Sequence, residues 1–406
     1  MNEPKLRFKA DDGSQFPDWE EKKLNEIAVR VTRKNKDNVT DIPLTISSVD
    51  GLIDQRDFFN KVVASKDMSG YYLLKNGEFA YNKSYSKGYD FGSIKRLDLY
   101  DEGALSTLYI CFALNKNENS DFYQKYFDSL SWYPELQKIC AEGARNHGLL
   151  NVPTNDFFQL KLCVPSSEQE QQKIAEFLST IDTVIEKQKE TVSAWEERKK
   201  GVMQKLFNQE ARFKADDGSE FPEWEEKKLK NILKEYKEYS AKDGSYEHVS
   251  LTKEGVVPKS ERYERDFLVK DVDKKYRITH LGDICYNPAN LKFGVICRNK
   301  YGDGIFSPIY VTFQVCKDML PEFVEMLVTR RDFIEYALKY QQGTVYERMS
   351  VSPDDLLSIK VMVPCMTEQQ KIADCLVSLD EVIEKQKATL AAWEELKKGL
   401  LQQMFV

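Results

Sequence analysis

Two groups of polar and basic residues follow matching tyrosine–asparagine pairs in this sequence. The run KSYSKG follows Tyr81 and Asn82, and the run PANLKFG follows Tyr286 and Asn287. Lysine and arginine suit contacts to phosphate or guanine, and asparagine suits paired hydrogen bonds to adenine. As groups, the two loops therefore favour nucleic-acid binding, while the alternative for any single residue is an ordinary solvated turn.

A second pair of loops, which begin at Gly143 and Gly343, adds further candidates of the same kind. With these loops and the cationic Arg298 included, the candidate contacts to nucleic acid are Asn82, Lys83, Ser84, Tyr85, Lys87, Arg145, Asn146, His147, Asn287, Asn290, Lys292, Arg298, Tyr346 and Arg348.

The overall charge limits how the chain could bind nucleic acid. The formal net charge is −7 and the pI is about 5.4, whereas a basic surface is the usual electrostatic sign of nucleic-acid binding. We therefore expect any such surface to be local, or a partner protein to supply much of the positive charge.

No familiar catalytic motif is present. The sequence has no GxxxxGK[ST] loop for ATP. The run after Tyr286 lacks the second proline and the aromatic residue of an amino-methyltransferase loop. The histidines His147, His248 and His280 have no metal-ligand spacing. We therefore expect no catalytic residue, no metal ligand and no bound cofactor in this chain.

The cysteines and the apolar runs indicate the cellular compartment. The eight cysteines form no CxxC pair, and none occupies the same place in both halves of the sequence, although a disulfide or zinc framework would have been duplicated with its scaffold. No run approaches the roughly 18 apolar residues of a membrane span. The N-terminal residues lack the apolar stretch of a secretion signal. These features predict a cytoplasmic protein with reduced cysteines and no membrane association.

The chain repeats two blocks of its own sequence. Residues 7–24 read RFKADDGSQFPDWEEKKL, and residues 212–229 match them at 16 of 18 positions. Residues 171–207 align without a gap to residues 369–405, with 23 of 37 positions identical. A repeat period near 200 residues indicates domain duplication rather than a solenoid.

Apolar residues recur at alternating steps of four and three in both copies of the second block. This heptad pattern predicts two long helices that pair as a coiled coil. The alternative is a single amphipathic helix packed on its own domain. The predicted interface residues, which include one glutamine in each copy, are Ile174, Leu178, Ile181, Ile185, Gln188, Val192, Trp195, Ile372, Leu376, Leu379, Ile383, Gln386, Leu390 and Trp393.

The two helices should run antiparallel. Only a few residues separate the first helix from the second copy of the first block, so a parallel pair would require the second variable domain to span the whole helix. Antiparallel pairing places Gln188 and Gln386 about one turn apart near the centre, where buried polar residues fix the register. A helix of 40 residues is about 60 Å long, which is an upper limit on the separation of the two binding surfaces.

The order of shared and variable segments predicts the domain organisation. We expect a first variable domain at 1–165, a first helix at 166–208, a second variable domain at 209–364 and a second helix at 365–406. The fold class is then α+β. Two mixed α/β domains are joined by a long antiparallel two-helix coiled coil with pseudo-twofold symmetry.

These features resemble the DNA specificity subunits of type I restriction–modification enzymes. The resemblance covers almost the whole chain. It is most specific in the duplicated FPxWEEKKL segment and in the duplicated VP…EQQKIA…L…D…I…W…KKG helix. It implies that each variable domain is a target recognition domain that reads one half of a bipartite, asymmetric site in double-stranded DNA, and that the helices act as the spacer.

The resemblance also implies partners. Two methyltransferase (modification) subunits would dock on the helices, and restriction/translocase subunits would join them. S-adenosylmethionine and ATP would then bind to partner subunits, with no cofactor in this chain, which would be a non-catalytic specificity subunit. The competing hypothesis is a structural adaptor that bridges two protein partners through the coiled coil. The missing catalytic motifs disfavour a third one, a solitary restriction enzyme.

Overall fold

The computed structural model describes residues 3–58, 65–140, 150–240, 244–259, 275–342 and 349–406. The chain forms two compact units, and each contains part of both long helices. The first unit comprises Met1–Val192 and Gln386–Val406, and the second comprises Ser193–Lys385.

The first unit contains three antiparallel or mixed sheets. Its strands are β1 (Trp19–Lys23), β2 (Ala28–Arg30), β3 (Pro43–Ser47), β4 (Gly51–Asp54), β5 (Tyr72–Lys75), β6 (Phe79–Asn82), β7 (Ser93–Arg96), β8 (Glu102–Leu105), β9 (Ile110–Leu114) and β10 (Lys161–Pro165). Its helices are α1 (Leu24–Ile27), α2 (Gln55–Phe58), α3 (Ser120–Ser129), α4 (Tyr133–Ile139), α5 (Thr154–Phe157) and the start of α6 (Glu168–Phe207). The strand orders are β1-β10, β2-β9-β6-β7 and β4-β3-β8-β5.

The second unit repeats this topology. Its strands are β11 (Glu225–Lys228), β12 (Leu233–Glu235), β13 (Tyr239–Ser240), β14 (Glu247–Leu251), β15 (Val256–Pro258), β16 (Tyr276–Thr279), β17 (Ile284–Tyr286), β18 (Ile296–Arg298), β19 (Gly304–Phe306), β20 (Val311–Val315) and β21 (Lys360–Val363). Its helices are α7 (Pro321–Thr329), α8 (Arg331–Ala337), α9 (Pro353–Ser358) and the start of α10 (Met366–Met404). The orders β11-β21, β12-β20-β17-β18 and β15-β14-β19-β16-β13 match the first unit, with β13 as an added edge strand.

Each unit has a core into which the end of one long helix packs. In the first unit the rings of Tyr81 and Phe157 stack at 4.9 Å, and the ring of Phe405, the residue directly after α10, lies 6.4 Å from that of Trp19. In the second unit Phe207, the last residue of α6, stacks on Phe323 at 5.4 Å. The C-terminal ends of both helices are therefore structural parts of the two cores.

The start of each long helix is held by one buried carboxylate. Glu170 accepts hydrogen bonds from Arg7 at 2.9 Å and from the indole of Trp19 at 3.3 Å. In the second unit Glu368 accepts from Arg212 at 2.9 Å and from Trp224 at 3.2 Å. Both carboxylates are fully buried, and their partners come from the first repeated block. We call these two clusters the carboxylate anchors.

The two long helices pack antiparallel within each unit. In the first unit Gln188 donates to the side-chain oxygen of Gln386 at 2.8 Å, and Lys397 pairs with Asp182 at 2.6 Å. Residue numbers thus fall along α6 as they rise along α10. In the second unit Lys199 pairs with Asp380. The predicted antiparallel pair is confirmed, but the two glutamines touch directly instead of lying one turn apart.

The Lys–Asp pairs add ionic contacts between the two long helices. Burial alone would raise the pKa of Asp182, but the ammonium groups of Lys397 and Lys125 outweigh it and hold the pKa below its usual range. Since Lys125 belongs to α3, this carboxylate links three helices of the first unit.

The predicted interface residues are all shielded from solvent to some degree. The buried ones are Ile174, Leu178, Ile181, Ile185, Val192, Ile372, Leu376 and Ile383, and the half-buried ones are Gln188, Trp195, Leu379, Gln386, Leu390 and Trp393. Ile174 and Leu178 lie in the core of the first unit, and Ile372 and Leu376 lie in that of the second. The first turns of each helix thus pack on the domain beside them. Within the described ranges, no helix combines the length and apolar character of a membrane span.

Replacement of an anchor carboxylate should destabilise the unit that contains it. We expect Glu170→Ala to lower the free energy of unfolding by about 3–5 kcal/mol, because it leaves the charge of Arg7 without its buried partner. The exposed Glu186 on the same helix pairs with Lys189, and Glu186→Ala should cost at most about 0.5 kcal/mol. Urea-induced unfolding of both variants measures the difference, and equal losses would contradict the role of the anchor.

Candidate nucleic-acid interface

The first candidate loop joins β6 to β7 at one end of the sheet. These strands pair antiparallel, with Asn82 opposite Ser93. The backbone amide of Ser84 donates to the Asn82 side chain at 2.9 Å, which shapes the turn. The hydroxyl of Ser86 lies 3.0 Å from that of Ser48 in the β3–β4 turn. The loop is therefore a shaped projection that rests on a neighbouring turn.

The corresponding loop of the second unit joins β17 to β18. The backbone amide of Ala289 donates to the side chain of Asn287 at 3.1 Å, and Asn287 is buried. Asn290 is half-buried, whereas Lys292 and Phe293 are exposed at the tip of the loop. The Lys292 ammonium lies 4.9 Å from the centre of the Phe293 ring, within range of a cation–π contact.

Five candidates, Arg145, Asn146, His147, Tyr346 and Arg348, lie outside the described residues. The structure does describe the chain segments directly after them, which start at residues 150 and 349.

Those segments return to the first candidate loops in both units. Leu150 donates its backbone amide to the carbonyl of Lys83 at 2.9 Å, and Val351 donates to that of Pro288 at 3.2 Å. In each unit this segment is hydrogen-bonded to the residue directly after the Tyr–Asn pair. The two pairs of candidate loops therefore lie at the same edge of the sheet.

The candidate side chains of the first loop differ in what they can offer to a ligand. Tyr85 and Lys87 are exposed, while Ser84 is half-buried. The ammonium of Lys83 donates to the carbonyl of Val152 at 3.1 Å, and burial, aided by the charge of Arg30, lowers the pKa of Lys83. Lys83 therefore helps to hold the loop, and Tyr85 and Lys87 are the side chains presented to solvent.

Arg298 lies in a different setting from the other candidates. Its guanidinium pairs with Glu322 at 2.9 Å and with Glu325 at 3.1 Å, both on α7. Two carboxylates offset its charge, so Arg298 links β18 to α7.

Arg30 is a further cation near the first candidate loop that is not among the residues predicted from the sequence. This residue is exposed at the end of β2, close enough to Lys83 to affect its pKa. The sequence feature that indicates this cation is the run RVTRKNK at 30–36, in which four of seven residues are basic. Two others of the run, Arg33 and Lys34, are held by Glu78 and by the Gly70 carbonyl.

The described residues contain no group of three or more His, Cys, Asp and Glu side chains that could hold a metal ion. In each unit one edge of the sheet carries exposed cationic and aromatic side chains. They lie on loops whose first residues are fixed by hydrogen bonds. Such an edge suits contacts to phosphate and to base edges.

Two curated proteins resemble the chain over most of its length. The putative type I restriction enzyme MjaX specificity subunit of Methanocaldococcus jannaschii is 24% identical over 427 aligned positions, which cover 97% of this chain and 94% of that protein. The type I restriction enzyme MjaVIII specificity subunit of the same organism is 25% identical over 344 positions, which cover 77% of this chain and 76% of that protein. No family model matches the chain.

Two solved structures share the fold. The S subunit of a type I restriction–modification system from M. genitalium covers 100% of this chain and 99% of its own, with a TM-score of 0.51 and 13% identity. A chain from a study of complex assembly and conformational transition of the type I R-M system covers 96% and 98%, with a TM-score of 0.53 and 14% identity. The resemblance found in the sequence is confirmed: the curated proteins that this chain resembles over most of its length are type I restriction enzyme specificity subunits, and solved type I S subunits share its fold.

Proposed function

We propose that this chain is the sequence-specific DNA-recognition subunit of a type I restriction–modification enzyme. Each variable domain would read one half of a bipartite, asymmetric site, and the helices would set the spacing and dock methyltransferase subunits. One observation carries the proposal: the two units share their strand order and their carboxylate anchors, but their candidate loops differ in sequence and length. Variable loops on a constant scaffold are where recognition is usually placed.

The chemistry of modification and cleavage would then belong to partner subunits. This chain would be non-catalytic, and S-adenosylmethionine and ATP would bind to the methyltransferase and restriction/translocase subunits. Those partners would also contribute positive charge around the DNA, which accounts for a subunit with a net charge of −7.

The helix surfaces support docking of two copies of one partner. At the helix interface five of the seven predicted positions carry the same residue in both repeats, and Ile181 against Leu379 and Val192 against Leu390 are the exceptions. Some solvent-exposed positions are identical as well, for example Glu197 and its counterpart Glu395. Because exposed positions tolerate substitution better than buried ones, this identity fits two equivalent docking surfaces.

The tryptophans of the repeats mark a place where such a partner would bind. Trp195 and Trp393 occupy the same repeat position, and both are half-buried rather than enclosed. The guanidinium of Arg198 lies 5.1 Å from the Trp195 ring. Half-exposed tryptophans often dominate the free energy of protein–protein binding. We assign them to the docking of two methyltransferase subunits.

DNA binding by the reconstituted complex tests the proposal. The complex should bind its own methylated motif, identified by methylome sequencing, far more tightly than scrambled DNA. Lys292→Ala should weaken binding and lower the salt slope by about one, because one phosphate contact is lost. Lys317→Ala is the matched control and should leave the salt slope unchanged. Lys317 is exposed and follows β20 at the opposite end of the same sheet. Mobility-shift titrations at several salt concentrations measure both effects.

Equal affinity for the motif and for scrambled DNA at moderate salt would contradict the proposal. It would instead favour the competing hypothesis of a protein adaptor, which predicts no steep dependence of binding on salt. The comparisons with known proteins support DNA recognition and not the adaptor.

The stoichiometry of methyltransferase binding tests the docking assignment. Wild-type chain should bind two methyltransferase subunits. Trp195→Ala and Trp393→Ala should each remove or weaken one site, by about 2 kcal/mol or more for a binding hot spot. Leu396→Ala is the control. Leu396 is exposed on α10, the helix that carries Trp393, and its counterpart in the first repeat is Arg198. Titration calorimetry gives the stoichiometry, and unfolding curves recorded in parallel show whether the helix pair itself has weakened. Two unaltered sites in both tryptophan variants would contradict the assignment.

A further inference from the structure

One tight turn in each unit exposes a large aliphatic side chain. In the first unit the turn joins β8 to β9 and carries Leu108, whose side chain is 68% exposed. In the second unit the turn joins β19 to β20 and carries Ile309, which is 61% exposed. Single exposed aliphatic residues are common on protein surfaces, so exposure alone has no functional meaning.

The two turns have the same construction. The amide of Tyr109 donates to the carbonyl of Ser106 at 3.2 Å, and the amide of Tyr310 donates to that of Ser307 at 3.1 Å. The aliphatic residue directly precedes the tyrosine in both turns. The same geometry therefore presents an apolar side chain to solvent in two domains whose other loops have diverged.

The strand register places both turns beside the candidate loops. Tyr81 lies opposite Ile110, the first residue of β9, and Tyr286 lies opposite Val311, the first residue of β20. The turn that precedes each of these strands is therefore next to the Tyr–Asn pair from which a candidate loop starts. Leu108 and Ile309 belong to the edge that we assign to DNA.

An aliphatic side chain in both recognition domains points to a function that the two half-sites share. Residues that read different bases would be expected to differ between the domains, as Tyr85 and Asn290 do at the third position after the Tyr–Asn pair. Leucine and isoleucine can donate or accept no hydrogen bond, so they can contact only the apolar parts of DNA. These parts are the thymine methyl group in the major groove and the faces of stacked base pairs.

We propose that Leu108 and Ile309 are apolar wedges that enter the base stack of the DNA, one in each half-site. This inference rests on the proposed function. Leucine and isoleucine are among the residues that proteins insert between base steps, at a cost of a few kcal/mol per unstacked step. A methyltransferase that acts on a base must first turn it out of the duplex. A wedge held by the specificity subunit would lower that cost at both half-sites, whatever their sequences.

The test uses the reconstituted complex with its methyltransferase subunits and duplexes that carry 2-aminopurine at single positions of the motif. The fluorescence of 2-aminopurine rises when this base is unstacked from its neighbours. With wild-type protein we expect a rise in both half-sites. Leu108→Ala should abolish the rise in one half-site and Ile309→Ala in the other. Affinity should fall about tenfold, which corresponds to about 1.4 kcal/mol.

Control variants separate the wedge from simple loss of an exposed apolar residue. Leu99→Ala and Leu281→Ala remove equally exposed side chains at the opposite end of the sheets, and both should behave as wild type. Leu108→Met and Ile309→Leu should keep the fluorescence rise. Thermal unfolding curves should be unchanged in all variants, because the side chains are exposed.

Each other outcome overturns the inference. Unchanged fluorescence in Leu108→Ala and Ile309→Ala would show that neither residue unstacks the DNA. A methylated motif relaxed at a single T·A pair would identify a thymine contact instead. Loss of methyltransferase subunits from the variant complex would identify a protein contact. If wild-type complex does not discriminate the motif from scrambled DNA, the proposed function itself fails. If it does discriminate and only the wedge variants behave as wild type, the inference alone fails.

Discussion

The buried carboxylates Glu170 and Glu368 are the interaction on which the rest of the structure depends. Each one neutralises an arginine and accepts an indole N–H at the point where a long helix begins. A buried carboxylate without such partners would be strongly destabilising, so its arginine and tryptophan cannot change independently. This explains why Arg7 and Trp19 recur as Arg212 and Trp224 in the second copy of the block. The anchor fixes the start of the helix against the β1–β10 or β11–β21 pair.

The anchors also leave the recognition loops free to change. Their partners come only from the repeated blocks, and the candidate loops lie on other sheets of the same units. Substitutions around Tyr85 or Lys292 therefore leave the contacts that hold the helices undisturbed. The Lys–Asp pairs at Asp182 and Asp380 act in a similar way, because they fix the alignment of the helices through residues outside the loops.

The elements of the fold could be predicted from the sequence because they depend on periodicity and repetition. The heptad pattern and the duplicated blocks indicated two long antiparallel helices and two related mixed domains. Contacts between distant residues could not be predicted in the same way. Arg298 is paired with carboxylates on a helix more than 20 residues away, and nothing near it in the sequence indicates this pairing. Likewise, nothing near Lys83 in the sequence indicates its hydrogen bond to the carbonyl of Val152. The direct contact of Gln188 with Gln386 depends on the register of two helices, which a repeating heptad pattern does not determine by itself.

The central claim is that the two variable domains read DNA independently on a shared scaffold. Its most direct test is to replace residues 25–150 by the corresponding segment of a homologous chain while the blocks around Arg7 and Glu170 are kept. The methylome of cells that express this chimaera with the original methyltransferase gives the outcome. The account predicts a motif in which one half is new and the other half is unchanged. A motif altered in both halves would contradict independent reading.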